Sequence, residues 1–448
     1  MATHYELVVV GTGAAAMTAA TRVRATGRTV AVVDFRPFGG TCALRGCDPK
    51  KMLISGASVV DHVWRMRANG VAGEVRIDWP ELMAFKRTFT DRVPEMQERT
   101  YAGKGIDTFH GRARFTGKNS LDVDGVALEA KHVLLASGAE PMTLNIPGEE
   151  HVLTSEEFLT LETLPRRIAL VGGGYIAAEF SNIAALAGAQ VTVLQRGDRM
   201  LKAFDGDLVG WLMEKFGELG IDVRTNAAVK RIERSLGGYR VWAAQDGAEL
   251  SVEADLVVHA AGRAPDFGPL DLAVAGVEVD NGRLKLNEFL QSVSNPAVYA
   301  AGDAAQNGPP LTPVSSHDAT VVAANIVQGN HARPDYGGVP TVTFTLPPIA
   351  GVGLLEDTAR KRGLKFRVKS EKASAWFTAR QAAEPTYGFK TLVEEESDLV
   401  LGAHIVGPHA DEVINVFALA IRHRLTASDL KSTIFAYPTG ASDIGYMV

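Results

Sequence analysis

Only two cysteines occur in the 448 residues, and both fall in one short stretch, GGTCALRGCDPKK, at Cys42 and Cys47. Closing a bridge across so short a loop would stabilise the fold by only about 2 kcal/mol, a minor gain for a chain this long. A bridge that opens and closes does more. A thiolate attacks a disulfide through a mixed disulfide, and a second thiol nearby resolves it. Cationic neighbours stabilise the thiolate, and Arg45 and Lys51 are candidates for that role. Two inert buried thiols are the plain alternative.

The surrounding elements contain an internal repeat. ELVVVGTGAAAMTAATRVRATGRTVAVVDFR is an apolar strand, a glycine turn, an alanine-rich helix and a second strand ending in an acid. IALVGGGYIAAEFSNIAALAGAQVTVLQR, residues 168–196, follows the same plan. Gly11, Gly13 and Ala16 form G-x-G-x-x-A, with Asp34 21 residues after Gly13; Gly172, Gly174 and Ala177 repeat it, with Gln195 at the same spacing from Gly174. In this strand–turn–helix setting the glycines let backbone approach a pyrophosphate, and the helix start offers unpaired N–H groups. Asp34 can accept hydrogen bonds from a ribose with two free hydroxyls, which suits the adenosine of FAD. In the second copy Gln195 replaces the acid and Arg196 follows, with Arg199 and Lys202 nearby, which favours a 2′-phosphate and therefore NADPH over NADH. HVLLASGAEP and LVVHAAGRAP close the two copies, and AVYAAGDAAQ places Asp303 after a strand, where it suits the ribityl hydroxyls of a flavin.

Composition bounds the class. A chain of this length exceeds one core, so about two to four domains are expected. It is 46% hydrophobic and 22% charged with a net charge of −6, no basic block and no apolar run long enough for a membrane span. Nucleic acid and membrane partners are therefore not expected. The N-terminus reads as a strand rather than a signal peptide, and the expected address is cytoplasmic.

The order GTGAAA, GGTCALRGC, LASGAEP, GGGYIAAEF, AAGRAP, AAGDAA, LTPV and YPTGASD resembles the flavin-dependent pyridine nucleotide-disulfide oxidoreductases, the family of glutathione reductase, dihydrolipoamide dehydrogenase and mercuric reductase, from end to end. The resemblance implies an α/β fold of two Rossmann-like dinucleotide-binding domains plus a C-terminal α+β dimerisation domain. The expected boundaries are 1–145 and 266–336 for the FAD-binding parts, 146–265 for NAD(P)H and 337–448 for the dimer interface. It implies a redox-active Cys42–Cys47 disulfide, with Cys47 against the flavin and Cys42 attacking the substrate. Lys51 would lie near the flavin and pair with Glu179, while Tyr175 would cover the nicotinamide pocket. Gly40, Thr41, Ala113, Ser137, Gly138 and Leu311 would join Gly11, Gly13, Ala16, Asp34, Lys51 and Asp303 around FAD. Ile176, Glu179 and Gly262 would join Gly172, Gly174, Tyr175, Gln195 and Arg196 around NADPH. No resident metal is implied.

Departures from the family pattern bear on the substrate. Arg45, Asp48 and Lys50 add charge beside the cysteines. Where disulfide-reducing members carry His-Pro-Thr and a later glutamate, this chain has Tyr437 and Ser442, with Asp443 one position beyond. A tyrosine, with a pKa near 10, is a poor base at neutral pH, and losing a positioned base typically removes about 10² to 10⁴ in rate. His404, His409 and His423 read as interface or surface residues. Mercuric reductases also have tyrosine at that position, yet DIGYMV ends this chain without their C-terminal cysteine pair. Three readings follow: a homodimeric NADPH-dependent reductase of small or protein disulfides, with Tyr437 or water in place of the base; a reductase of metal or metalloid ions or quinones; and a flavin-binding redox sensor. The complete second nucleotide cradle counts against the third. The segment from 411 to 425, DEVINVFALAIRHRL, has the 3.6-residue period of a helix, and strands are expected near 388–394 and 398–406.

Overall fold

A computed structural model describes residues 3–265 and 267–448, which group into two compact units. One comprises residues 1–50, 85–142 and 263–336; the other comprises 51–84, 143–262 and 337–448.

The first unit is built on a parallel sheet in the order Asp107–His110, Val30–Asp34, Thr3–Val10, Val126–Leu135, Val298–Ala300. Valine-rich runs suit strands covered on both faces. Alternation divides them: Val8, Val10, Ala31 and Val33 pack on one side, and Leu7, Val9, Val30 and Val32 on the other. On the second side the helices Ala14–Arg24 and Thr312–Gln328 contribute Ala16, Ala19, Ala20, Ala319 and Ala323 to one core. Small residues there let the helices sit close to the sheet. Two antiparallel strands, Ala113–Phe115 and Ser120–Val123, extend the edge.

The second unit repeats the plan, with Asp222–Arg224, Gln190–Leu194, Arg167–Val171 and Leu256–His259 in parallel. Helix Tyr175–Leu186 covers it, and a three-stranded antiparallel sheet, Ala227–Ser235, Gly238–Gln245 and Ala248–Ala254, packs beside it. Toward the C-terminus an antiparallel sheet runs in the order Thr341–Thr343, Ile349–Gly353, Val400–Val406, Gly388–Glu394, Phe366–Lys372. Helix Ala410–Arg422 lies on it, burying Val413, Ile414, Phe417 and Ala420. That helix stops three residues short of the expected Leu425, because His423 caps it and Arg424 adopts a left-handed φ of 56°. Among the described residues no helix is long and apolar enough to cross a membrane.

Candidate functional site

The glycine pair before the cysteines has a structural reason. Gly40 has φ 68°, and a Cβ on it would lie 2.4 Å from the Cα of Gly13. Only backbone fits between the cysteine loop and the first nucleotide turn, so the two are packed together. Gly40, Thr41 and Cys42 belong to the short helix Gly40–Arg45, and Cys47 opens the long helix Cys47–Met66.

Both thiols are free. Cys42 donates a hydrogen bond to Cys47; this holds the Cys42 thiol well above its ordinary value and brings Cys47 down to about 6. Burial opposes the second effect, while the Thr312 hydroxyl, 3.6 Å from the Cys47 sulfur, and the Lys50 charge assist it. The start of a helix is also a favourable place for negative charge. Lys50, beside the expected candidates Arg45 and Lys51, is a cation whose charge lowers the Cys47 thiol.

The first turn fits a dinucleotide. Gly11 has φ 110°, and a Cβ there would lie 2.3 Å from the Ala136 carbonyl oxygen. Gly13 caps helix Ala14–Arg24 without a side-chain acceptor, leaving first-turn amides for an anion. Ala16 is buried behind the turn. Asp34 ends its strand and accepts from the Thr12 hydroxyl at 2.7 Å and from the Arg36 amide at 3.0 Å. Gln97 donates to the Thr12 carbonyl at 2.7 Å, and its Oε1 is buried without a hydrogen-bond partner among the described residues. A diol-bearing ligand could satisfy such an acceptor. Ala113 is buried in its strand, Ser137 is exposed, and Gly138 follows with φ 74°. Asp303 sits in the turn after Val298–Ala300; burial pushes its carboxyl up, and Arg263 pulls it back. That turn is held by buried Asp318, which accepts from the Gly302 amide at 3.1 Å. Leu311 caps the helix that brings Thr312 to Cys47.

The second turn is a close copy. Gly172 has φ 114°, and a Cβ would meet the Ala260 carbonyl oxygen at 2.2 Å. Gly174 caps helix Tyr175–Leu186, again without a side-chain acceptor. Tyr175 is half exposed at the helix start, Ile176 is buried, and Gly262 has φ 119°. Gln195 lies over Gly173 and donates to the Arg199 carbonyl at 3.1 Å. Arg196 is exposed, and Lys202 pairs with Asp198 at 3.7 Å.

Glu179 is not a solvated acid. It is 1% exposed and accepts from the Phe344 amide at 2.9 Å. Lys51 reaches the same residue, with Nζ 3.5 Å from the Phe344 ring centroid and 3.9 Å from Asp411 Oδ2. Tyr437 is 75% exposed and meets the Phe377 ring. Ser442 forms a capping box with Thr439, and Asp443 turns inward to accept from the Tyr387 hydroxyl at 2.7 Å. His404 is a core residue rather than a surface or interface one: it is buried in its strand, with Nε2 at 3.0 Å from the Leu354 carbonyl. His409 and His423 are exposed and flank helix Ala410–Arg422. Thr12, Gln97, Thr312, Phe344 and Asp411 escaped the reading of the sequence, although Thr312 lies inside the LTPV motif.

Residues 5–319 match the model described as pyridine nucleotide-disulphide oxidoreductase, and residues 339–448 match its dimerisation domain. The chain is 32% identical to a glutathione reductase of Burkholderia cepacia over 447 residues, covering 98% of this chain and 97% of that protein. It is 32% identical to a mercuric reductase of Lysinibacillus sphaericus, covering 98% and 81%. It is 33% identical to a dihydrolipoyl dehydrogenase of Halobacterium salinarum, covering 98% and 94%. Among solved structures it resembles the Cu(II) complex of a cysteine-to-serine mutant of the HOCl-induced flavoprotein disulfide reductase RclA from Escherichia coli. That likeness has a TM-score of 0.89 at 25% identity and covers 100% of this chain and 99% of that one.

Proposed function

The chain belongs to the pyridine nucleotide-disulphide oxidoreductases, FAD enzymes fed by a pyridine nucleotide, and from that premise we propose that it spends NADPH to reduce a disulfide substrate through Cys42 and Cys47. The observation that carries this is the thiol pair itself, hydrogen-bonded, backed by Thr312 and packed through Gly40 onto the first nucleotide turn. Bound FAD would supply the two-electron relay between nicotinamide and sulfur.

In this reading residues 1–145 and 266–336 hold FAD. Gly11, Gly13, Ala16 and Gly40 make room for the pyrophosphate, and Asp34 takes the ribose. Thr41, Ala113, Ser137, Gly138, Asp303 and Leu311 complete the cradle. Residues 146–265 hold NADPH, with Gly172, Gly174, Ile176 and Gly262 at the backbone, Gln195 and Arg196 at the 2′-phosphate, and Tyr175 over the nicotinamide pocket. Glu179 and Lys51 are held in register by Phe344, Lys51 being the cation nearest the flavin. Cys47 keeps the negative charge that faces the flavin, and Cys42 is the thiol that meets substrate. Residues 337–448 pair two copies, which the family's dimerisation domain supports. The test is replacement of each cysteine by serine: Cys42→Ser and Cys47→Ser should each abolish substrate turnover with flavin still bound. Turnover surviving in either would end the proposal.

A second reading, reduction of a soft metal ion as substrate, is favoured by Tyr437, an exposed phenol in place of a base, and by the likeness to mercuric reductases and to a copper-bound reductase. Hg²⁺- or Cu²⁺-dependent NADPH oxidation that falls in Tyr437→Phe would support it.

A further inference from the structure

Helix Thr312–Gln328 buries two polar residues seven positions apart, Asp318 at 0% and Asn325 at 1% exposure. Seven residues make about two turns, so both lie on one face. Asn325 accepts from the His331 and Ala332 amides at 3.0 and 2.9 Å and donates to the Ala332 carbonyl at 2.9 Å. The chain beyond the helix is thereby turned back along it. Tyr336 then arrives at Asp318 and donates its hydroxyl to Oδ1 at 2.8 Å, while the Gly302 amide donates to Oδ2 at 3.1 Å. The Asn307 side chain donates to the same hydroxyl at 3.2 Å. Gly308 lies against the Tyr336 ring, where a Cβ would come within 2.5 Å.

A buried carboxylate is costly to desolvate unless hydrogen bonds or a cation offset it. The partners of Asp318 are two neutral donors, and among the described residues no Lys or Arg pairs with it. For packing alone an apolar side chain would serve that position better. The carboxylate instead joins three segments at one point: the middle of the helix, the turn 301–308 and the returning chain at Tyr336. Gly302 has φ 66°, and a Cβ on it would lie 2.7 Å from Ser315 Oγ, so the turn sits directly on the helix. Asp303 is the next residue in that turn.

We propose, resting on the reading above in which Asp303 holds FAD, that Asp318 and Tyr336 are positioning residues for the cofactor. They fasten the Gly302–Asp303 turn in the shape that receives the ribityl hydroxyls, and they act on FAD through Asp303. A turn already ordered loses no further freedom when its ligand binds, so the clamp strengthens retention of the cofactor. All of its members, Gly302, Asp303, Asn307, Asp318 and Tyr336, belong to one compact unit.

The test is the rate at which flavin-loaded enzyme releases FAD on dilution, followed by the fluorescence of free flavin. Tyr336→Phe keeps the ring on Gly308 and removes one hydrogen bond to a carboxylate; release should quicken about tenfold. In an Asp303→Ala background the same substitution should change the rate by less than about threefold, the non-additivity expected of residues that act through one another. Asp318→Leu should release flavin at least as fast as Tyr336→Phe. Asp318→Asn should release it more slowly than Asp318→Leu, because an amide oxygen still accepts from Gly302 and its NH2 still reaches the Tyr336 oxygen. Should Asp318→Leu not fold, Tyr336→Phe in the two backgrounds decides. Release from Tyr336→Phe within about twofold of the parent would overturn the proposal, as would a tenfold effect that persists in Asp303→Ala, the result of a merely structural role. Asp303→Ala itself separates the two levels. If it quickens release and Tyr336→Phe does not, only the positioning role falls; if it leaves release at the parent rate, Asp303 does not hold FAD and both fall.

Discussion

Replacing Thr312 by valine keeps the shape of the helix start and removes one hydroxyl, which lies 3.6 Å from the Cys47 sulfur. A hydrogen bond to a charged group contributes about 1.5 to 3 kcal/mol, and the long sulfur–oxygen distance puts this one at the lower end. Each pKa unit corresponds to about 1.4 kcal/mol, so the Cys47 thiol should rise by about one unit from its value of about 6. The sign follows from the chemistry, because the hydroxyl donates to the thiolate and not to the thiol. The assay is the pH dependence of iodoacetamide alkylation of the reduced, flavin-loaded protein, with the label mapped to Cys47. Thr312→Ser should stay within about 0.3 units of the parent, since the donor is retained, a rescue that a packing role would not give. Cys42→Ala should raise the midpoint further than Thr312→Val, because the Cys42 hydrogen bond is the larger cause. An unchanged midpoint in Thr312→Val, or the reverse order of the two variants, would refute this account of the thiolate.

Other outcomes are as specific. Gly172→Ala places a Cβ 2.2 Å from the Ala260 carbonyl oxygen at φ 114°; strain of about 1 to 3 kcal/mol should weaken NADPH binding roughly 10- to 100-fold with flavin content unchanged, as read by rapid flavin reduction. Arg196→Gln should raise the KM for NADPH about tenfold or more and leave that for NADH alone, since only one of the two carries the 2′-phosphate. Lys390 is buried between Asp205 at 3.0 Å, Asp207 at 2.6 Å and Glu356 at 3.3 Å. Lys390→Met leaves the buried Asp205 carboxylate without its cation, while Glu356 keeps Arg360 and Asp207 faces solvent, and should cost about 3 kcal/mol in urea unfolding. Arg360 first, then Lys390, hold Glu356 below its usual value of 4.5. The stability this provides is complete above that pH and fades as pH falls through the folded value, so the gap between the two proteins should narrow in acid.

The parts of the site that depend on local rules were legible in the sequence. A glycine turn between an apolar strand and a helix has one geometry, and both copies adopt it at Gly11–Gly13 and Gly172–Gly174. The apolar period placed the C-terminal helix and missed only its end, where Arg424 takes a left-handed turn that nothing in DEVINVFALAIRHRL announces. Long-range contacts were not legible. Thr312 meets Cys47 across 265 positions, a contact between two helix starts that no local pattern announces. Glu179 reaches the Phe344 amide across 165 positions, so a residue read for its charge also fastens backbone. His404 could be buried because Gly351, on the neighbouring strand, lacks the Cβ that would meet its ring at 2.9 Å. Polar residues beside one another also parted ways: Ser442 caps its own turn, whereas Asp443 points into the core at Tyr387.

The most direct measurement is a count of alkylatable thiols in air-oxidised, flavin-loaded protein before and after one equivalent of NADPH without oxygen. Two labels should appear, at Cys42 and Cys47, with none beforehand. A flavin that is reduced while both sulfurs stay resistant to labelling would contradict the claim that this pair receives the electrons.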